Sequence, residues 1–204
     1  MNSKYHISSF CNIKKNTVSL NGSIIYNDEN NNFSEFIKAA YKSLKTNYPK
    51  FFKMDALSKL AFLAADVLLK NKRLDQEENN IAIVFSNKAS SLDTDRRHQK
   101  RIDSKEDYYP SPAIFVYTLP NICIGEISIK HKLFSENSFF IFEKFNAQHL
   151  LNYTNSLLST NKTEKVLCGW VELDGEHYEA FLYLVSENGS ITHNKQNIIN
   201  LYKT

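Results

Sequence analysis

The residues of this chain best suited to nucleophilic chemistry are its three cysteines, Cys11, Cys123 and Cys168. They lie far apart without paired spacing, which is typical of free thiols in a reducing compartment. Cys123 and Cys168 also lie in apolar stretches, where burial raises the pKa of a thiol and makes it inert. Core packing is therefore the favoured interpretation of these cysteines, with Cys123 as a nucleophile the alternative.

A metal site is the second kind of chemistry that the residue types allow. Asp93 and Asp95 flank Thr94 and offer hard oxygen ligands to a divalent cation. No third ligand is identifiable, so a helix N-terminus, where acidic side chains favour the dipole, is the better interpretation. The six histidines do not pair with cysteines at zinc spacing, and the five glycines form no phosphate-binding loop. The sequence therefore predicts neither a metal nor a cofactor.

The basic cluster of the chain could contact an acidic carrier protein. The carrier-docking candidates in this cluster are Arg96, Arg97, Lys100 and Arg101. The carboxylates that surround it are Asp93, Asp95, Asp103, Glu106 and Asp107. Because they cancel much of its field, a plain solvated segment is the favoured interpretation and a docking patch is the alternative. Nucleic acid fits poorly, since the net charge is only +3.

Length and composition indicate an ordinary globular chain. Its 204 residues, 42% of them hydrophobic, predict a single domain spanning 1–204, with a polar C-terminal tail over 186–204 that packs weakly. No run of ~18 apolar residues exists, so no membrane span is expected. The first ten residues lack the apolar stretch of a secretory signal, and together with the free thiols this predicts a cytoplasmic protein.

Hydrophobic periodicity predicts an α/β domain. A hairpin signal at Asn21-Gly22 lies within an extended segment. The predicted extended segments and strands cover 4–26, 81–85, 113–117, 138–143, 166–173 and 178–185, and the predicted helices cover 33–44, 57–69 and 146–158. Such alternation predicts a layered α-β-α fold with a mixed sheet and an antiparallel end. Residues 118–132 fit either a helix or, by the alternation around Gly125, a strand, and the family resemblance described below favours the helix.

Several segments carry a family resemblance. Ser111-Pro112 begins an apolar run, and Thr118 to Asn121 begins a segment containing Gly125. This order resembles the β-ketoacyl synthases of fatty-acid and polyketide pathways. The family's basic-Met-Asp signature is similar to 53–55, and its strand ending in small residues and glycine is similar to 167–170. The resemblance covers about residues 50–185 and implies the N-terminal half of the thiolase-like fold.

The resemblance also implies that the family's nucleophile is missing. Counting back from Cys168 without gaps places Lys144, flanked by Glu143 and Phe145, at the position of the catalytic cysteine. Acyl transfer in this family requires a thiolate there, at the turn from a strand to a helix. The family's later basic residues, usually histidines, would fall beyond Thr204. We therefore expect no catalytic residue, and Lys144 marks a vestigial nucleophile position.

Short ketosynthase-like proteins of aryl polyene and flexirubin-type pigment clusters are the most similar members of this family. They look like truncated chain-length factors, which are non-catalytic partners of a true ketosynthase. The resemblance implies a heterodimer with a full-length β-ketoacyl synthase, or a homodimer, joined through strand 138–142, and an acyl carrier protein as a further partner. One half of the fold alone would also expose the apolar face that its sister covers.

The acyl-pocket or interface candidates under this interpretation are Thr118, Asn121, Phe139, Phe142 and Phe145. The alternative function is a small acyltransferase or condensing enzyme that uses Cys123, or Lys144 with a pKa lowered by burial.

Overall fold

The computed structural model describes residues 4–28, 32–70, 74, 78–103, 108 and 110–204. Its strands are β1 (His6–Lys14), β2 (Thr17–Leu20), β3 (Ser23–Asn27), β4 (Ile81–Asn87), β5 (Asn137–Ile141), β6 (Lys165–Asp174), β7 (His177–Ser186) and β8 (Ile191–Thr192). Its α-helices are α1 (Phe33–Ser43), α2 (Ala56–Leu69), α3 (Leu92–Ile102), α4 (Pro112–Phe115), α5 (Ile122–His131), α6 (Ala147–Ser159) and α7 (Lys195–Lys203). Two 3-10 turns cover Pro49–Lys53 and Val116–Thr118.

The strands of the described residues form one mixed sheet in the order β3-β2-β1-β7-β6-β4-β5, with β8 paired to β1. Strands β6, β4 and β5 run parallel, whereas β7, β1, β2 and β3 continue the sheet in antiparallel pairs. The predicted mixed sheet with an antiparallel end is therefore confirmed. Strand β5 pairs with β4 alone and forms one edge of the sheet.

Two hydrophobic cores lie on opposite faces of the sheet. The first packs α1, α2 and α5 against the face that includes Ile83 and Leu182. The second packs α6 and α7 against the face that includes Val84 and Phe181. Helix α2 is buried almost all round, as its continuous apolar sequence predicts, and Asp55 caps it by accepting a hydrogen bond from the Ser58 amide at 2.9 Å.

The expectation of an exposed apolar face is wrong for the helices of the second core. The exposed positions of α6 and α7 carry polar side chains, namely Gln148, Asn152, Ser156, Ser159, Lys195, Gln196, Asn200 and Lys203. Six exposed large apolar side chains lie within one stretch of chain, which we call the 115–141 surface: Phe115, Val116, Leu119, Ile129, Phe134 and Ile141. The other exposed large apolar side chains of the described residues are Ile24, Ile25, Phe52, Leu92 and Tyr108.

Two predicted elements differ in the structure. Residues 113–117 form α4 and a 3-10 turn rather than a buried strand, because Ser111 caps a helical turn that begins with Pro112. Their apolar side chains are mostly surface groups, with Phe115 60% exposed. The tail after residue 186 does not pack weakly, since it forms β8 and α7 and buries Ile198 completely.

Helix α5 is fixed to α2 by a buried polar contact. The His131 ring nitrogen Nε2 lies 3.3 Å from the Asp66 carboxylate, and the Thr46 hydroxyl donates to the same carboxylate at 2.8 Å. Burial alone would raise the pKa of Asp66, but the hydrogen bonds from His131 and Thr46 bring it below its ordinary value of 3.8. The ionised carboxylate is thus stabilised by folding.

We expect Asp66→Asn to lower the free energy of unfolding by about 3 kcal/mol at pH 7, because it removes the negative charge that the buried His131 and Thr46 side chains contact. A carboxylate whose pKa falls on folding stabilises the native state above its ordinary pKa, and that stabilisation is lost as the pH drops through the lower folded value. Urea denaturation at pH 7 and pH 3 should therefore show a smaller acid-induced loss in Asp66→Asn than in the wild type. Glu164→Gln, at an exposed position, is the control, and equal stability of Asp66→Asn and wild type would contradict the prediction.

Candidate functional site

The candidate site is the junction between β5 and α6. Strand β5 ends at Ile141, and the next amide, of Phe142, donates to the Asn87 carbonyl at 2.9 Å. Asn146 then caps α6 by accepting from the His149 amide at 3.0 Å. Residues 142–146 thus connect an edge strand to a helix N-terminus, the local geometry that the resemblance implies for residue 144.

An open cavity of about 430 Å³ lies between this junction and α7. Its lining includes Phe142, Lys144, Phe145, Gln148, Lys195 and Ile199. The side chains of Lys144 and Lys195 are exposed, and Lys144 has no hydrogen bond or ion pair within the part of the chain that the structure describes. An exposed amine of this kind lacks the buried surroundings that activate a lysine as a nucleophile.

Phe145 turns inward and fills the space beside the junction with aromatic contacts. Its ring stacks on Tyr202 of α7 at 4.2 Å and lies 5.8 Å from Phe181 and 6.2 Å from Trp170. The Tyr202 hydroxyl donates to Glu179 at 2.6 Å, and the Trp170 indole donates to the same carboxylate at 3.0 Å. Burial, and then the bond to Glu179, raise the pKa of Tyr202.

Sequence reasoning missed Tyr202 and α7 as parts of this site. The available signal was the spacing of Ile198, Leu201 and Tyr202, which fits one face of a helix in an otherwise polar tail. The mostly polar stretch before them, residues 186–197, concealed that pattern.

The predicted pocket residues do not all meet. Phe142 and Phe145 lie at the cavity together with Lys144, whereas Phe139 packs against the core on the opposite face of the sheet. Thr118 is the last residue of the 3-10 turn Val116–Thr118, and Asn121 directly precedes α5. Both therefore lie in the stretch of the 115–141 surface rather than at the junction. The Ser91 hydroxyl donates to the Thr118 carbonyl and ties this segment to α3.

The three thiols are placed where they cannot react. Cys11, Cys123 and Cys168 are free and fully buried. Burial raises the pKa of the Cys168 thiol to about 12, against smaller opposing effects of hydrogen bonds from Tyr183 and Thr154. Burial also raises the pKa of Cys11 and Cys123 far above the ordinary range. No described cysteine lies at the junction, so the described residues place no thiolate where the family's chemistry needs one.

The charged candidates lie on α3. Asp93 and Asp95 are in its first turn, where the helix dipole favours them, and the described residues contain no group of three or more metal-ligating side chains. Arg96 pairs with Asp174, whereas Arg97, Lys100 and Arg101 are exposed. Glu106 and Asp107 lie outside the described residues.

Arg97 belongs to a wider basic region. The pKa of Lys59 on α2 is lowered by burial, and then by the neighbouring charges of Lys38 on α1 and Arg97 on α3. Only Asp55 opposes this effect, and its carboxylate already accepts bonds from the Ser58 amide and the Thr94 hydroxyl. Lys38, Lys59 and Arg97 thus bring positive charges of α1, α2 and α3 close enough to repel one another, and we call these three helices' cationic side chains the basic face.

No single helix of the described residues is long and apolar enough to cross a membrane. The helical segments Pro112–Thr118 and Ile122–His131, which meet at an angle of 98°, reach that length and apolarity only when they are counted together.

No protein-family model and no curated protein matches this sequence. Solved structures do. The structure of the ishigamide ketosynthase/chain length factor matches with a TM-score of 0.64 at 16% identity, over 89% of this chain and 62% of that one. A type II PKS acyl-carrier protein complex with its ketosynthase matches with a TM-score of 0.64 at 14% identity, over 92% of this chain and 64% of that one.

These likenesses define the class of fold: the chain has the ketosynthase-like, thiolase-like α/β fold, as the sequence resemblance implied. It spans less than two thirds of the length of both of those matched chains. A third match comes from the ketosynthase ApeO in complex with its chain length factor ApeC from Xenorhabdus doucetiae, with a TM-score of 0.61 at 14% identity. It covers 100% of this chain and 91% of the matched one, so those two chains are of similar length.

We expect all three cysteines to resist a thiol reagent in the native state. Their complete burial and raised pKa values leave almost no accessible thiolate at pH 8. Ellman's reagent should label them only as fast as the protein unfolds, and three equivalents should react at once in 6 M guanidinium. Rapid native labelling that Cys123→Ser abolishes would contradict this placement and favour an enzyme that uses Cys123.

Proposed function

We propose that this chain is a non-catalytic, ketosynthase-like subunit that pairs with a full-length β-ketoacyl synthase, in the manner of a chain length factor. The observation that carries the proposal is the junction of residues 142–146, which keeps the strand-to-helix geometry of the fold while no described thiol occupies it. The acyl chemistry of the complex would then belong to the partner. The aryl polyene or a similar polyketide-type pathway is the proposed context, on the likeness to the ApeO and ApeC complex.

The open edge of β5 supports pairing with another chain. An edge strand leaves backbone donors and acceptors unpaired, and it usually carries charges or proline when it is meant to stay single. Strand β5 reads Asn-Ser-Phe-Phe-Ile and carries neither. Its last residue, Ile141, is 50% exposed and belongs to the 115–141 surface, which offers the apolar contacts that a stable interface needs. A heterodimer is preferred to a homodimer, because a second copy of this chain would also bring no activated nucleophile among its described residues.

The alternative of a small acyltransferase draws no support from the site. Cys123 lies in the core of α5 and α2, away from solvent. Lys144 is exposed at the cavity, without a neighbouring base among the side chains that the structure describes. Both residues therefore lack the environment that activates a nucleophile. A cytoplasmic location remains part of the proposal, supported by the three free thiols.

We expect Ile141→Lys to weaken binding to the ketosynthase encoded nearest to this gene by at least tenfold, or ~1.4 kcal/mol. A lysine on an open edge strand opposes strand pairing while costing the exposed site under about 0.5 kcal/mol of stability. Titration of the purified proteins by calorimetry gives the affinity, with thermal unfolding as the check on the fold.

Asn152→Lys is the matched control for that variant, since Asn152 is exposed on the polar face of α6. The control should bind like the wild type. Equal affinity of Ile141→Lys and wild type, or separate elution of the two wild-type proteins on a sizing column, would refute the pairing through β5.

The proposed docking surface for an acyl carrier protein is the basic face of α1, α2 and α3. It keeps three of the four docking candidates that the sequence suggested. Arg97, Lys100 and Arg101 remain candidates because they are exposed, whereas Arg96 is engaged by Asp174. Lys38 and Lys59 add to the same positive region. An acidic partner would relieve the repulsion among these cations.

We expect the double variant Arg97→Glu/Lys100→Glu to slow association of the carrier protein with the ketosynthase complex by about tenfold at low salt, with a smaller effect at 0.5 M salt. Surface plasmon resonance at both salt concentrations measures this. A double charge reversal at Lys195 and Lys203 of α7 is the control for net charge. If both double variants slow association equally, the face has no specific role.

A further inference from the structure

The segment between α1 and α2 contacts α5 through Asn47, Tyr48 and Lys50. We call residues 46–50 the strap. Its first residue, Thr46, is buried and donates to Asp66, which in turn contacts His131 at the end of α5. The next carbonyl, of Asn47, accepts a hydrogen bond from the Lys130 amine at 2.8 Å. The strap therefore holds the last turn of α5 by two separate contacts.

The middle of α5 is held by the same segment. Glu126 is only 4% exposed, and its carboxylate accepts from the Tyr48 hydroxyl at 3.3 Å and pairs with the Lys50 amine at 2.9 Å. Tyr117, which precedes α5, donates to the same carboxylate at 3.0 Å. The Lys130 amine also lies 5.9 Å from the centre of the Tyr48 ring. The buried Glu126 carboxylate thus joins the strap, the 3-10 turn Val116–Thr118 and α5.

Glu126 is a costly residue to bury unless its charge is compensated. Here Tyr117, Tyr48 and Lys50 together supply that compensation from two other segments. The outer side of the same helix carries Gly125, which is exposed, and Ile129, which is 60% exposed. The strap therefore fixes from within the helix that presents part of the 115–141 surface to solvent.

We propose that the strap positions α5 for its partner, so that strap residues control the affinity for the ketosynthase although none of them belongs to the 115–141 surface. This inference rests on the proposed function, because it needs the 115–141 surface to be the interface. A loosened α5 would be competent for binding only part of the time, and the apparent dissociation constant rises as the competent fraction falls. Strap variants should thus weaken binding by lowering the fraction of the free subunit that is competent to bind, and not by removing contacts with the ketosynthase.

The test uses the single variants Tyr48→Phe and Lys50→Gln in the full chain. Tyr48→Phe removes the hydroxyl that reaches Glu126 and keeps the ring, which stacks on Phe62 at 5.0 Å. In the free subunit, α5 should lose most of its protection against hydrogen exchange while α6 stays unchanged, because exchange reports local opening. The apparent dissociation constant is the intrinsic one divided by the competent fraction, so an α5 that is in place only about 10–20% of the time should raise the dissociation constant for the ketosynthase about five- to tenfold.

Two matched controls separate this effect from a general loss of stability. Tyr178→Phe removes a tyrosine hydroxyl contact at the other end of the sheet, with the Asn16 amide at 2.9 Å, and Lys42→Gln removes an exposed lysine of α1. Neither should change exchange in α5 or the affinity. Faster exchange in α5 together with weaker binding in both strap variants supports the inference.

Unchanged exchange in α5, or faster exchange with unchanged affinity, overturns it. The failure of the proposed function looks different. If Ile141→Lys binds like the wild type, the interface is elsewhere and this inference falls with it. If Ile141→Lys weakens binding and the strap variants do not, the interface stands and the strap alone is refuted.

Discussion

The parallel pairing of β4 between β5 and β6 is the constraint on which the rest of the structure depends. Strand β4 is buried along its whole length, so both faces of the sheet must be covered at this point. The carbonyl of Asn87, the last residue of β4, accepts the Phe142 amide and thereby fixes where β5 ends. Glu172 of β6, itself buried, accepts from the amides of Lys88 and Ala89 and fixes the loop that follows β4. Hydrogen bonds from backbone amides therefore hold both of these connections at this end of the sheet.

What fills the site follows from that geometry. In a condensing enzyme the turn after such a strand needs room for a thiolate and its acyl group. Here the inward position beside the turn is taken by the Phe145 ring, stacked on Tyr202, while the amine of Lys144 lies outside in solvent. The Glu179 carboxylate then satisfies both the Tyr202 hydroxyl and the Trp170 indole, as buried polar groups require. A packed aromatic cluster of this kind stabilises the turn, and none of the described cysteines lies there.

Much of the fold could be predicted from the sequence, because local patterns and burial agree there. The Asn21-Gly22 hairpin is confirmed, and both residues have the positive φ that the turn requires, 51° and 83°. The buried strand at 81–85 and the apolar helix α2 were predicted by their continuous hydrophobic runs. Residues 113–117 were mispredicted because an apolar run looks the same in a core strand and on a surface. Helix α7 was missed because its few apolar residues end an otherwise polar tail, and the contact of Tyr202 with Phe145 joins positions 57 residues apart.

The distribution of exposed apolar groups decides which side of the molecule can bind a partner. Helices α6 and α7 cover one face with amides, hydroxyls and lysines, so that face is stable in water as it stands. The 115–141 surface, which includes Ile141 at the end of edge strand β5, has no such covering, and its side chains are between 47% and 66% exposed. On the inner side of α5, by contrast, the Glu126 carboxylate is matched by Tyr117, Tyr48 and Lys50, at the expense of burying a charge. A helix held so firmly on its inner side and left apolar on its outer side is suited to a preformed interface, in which little order remains to be gained on binding.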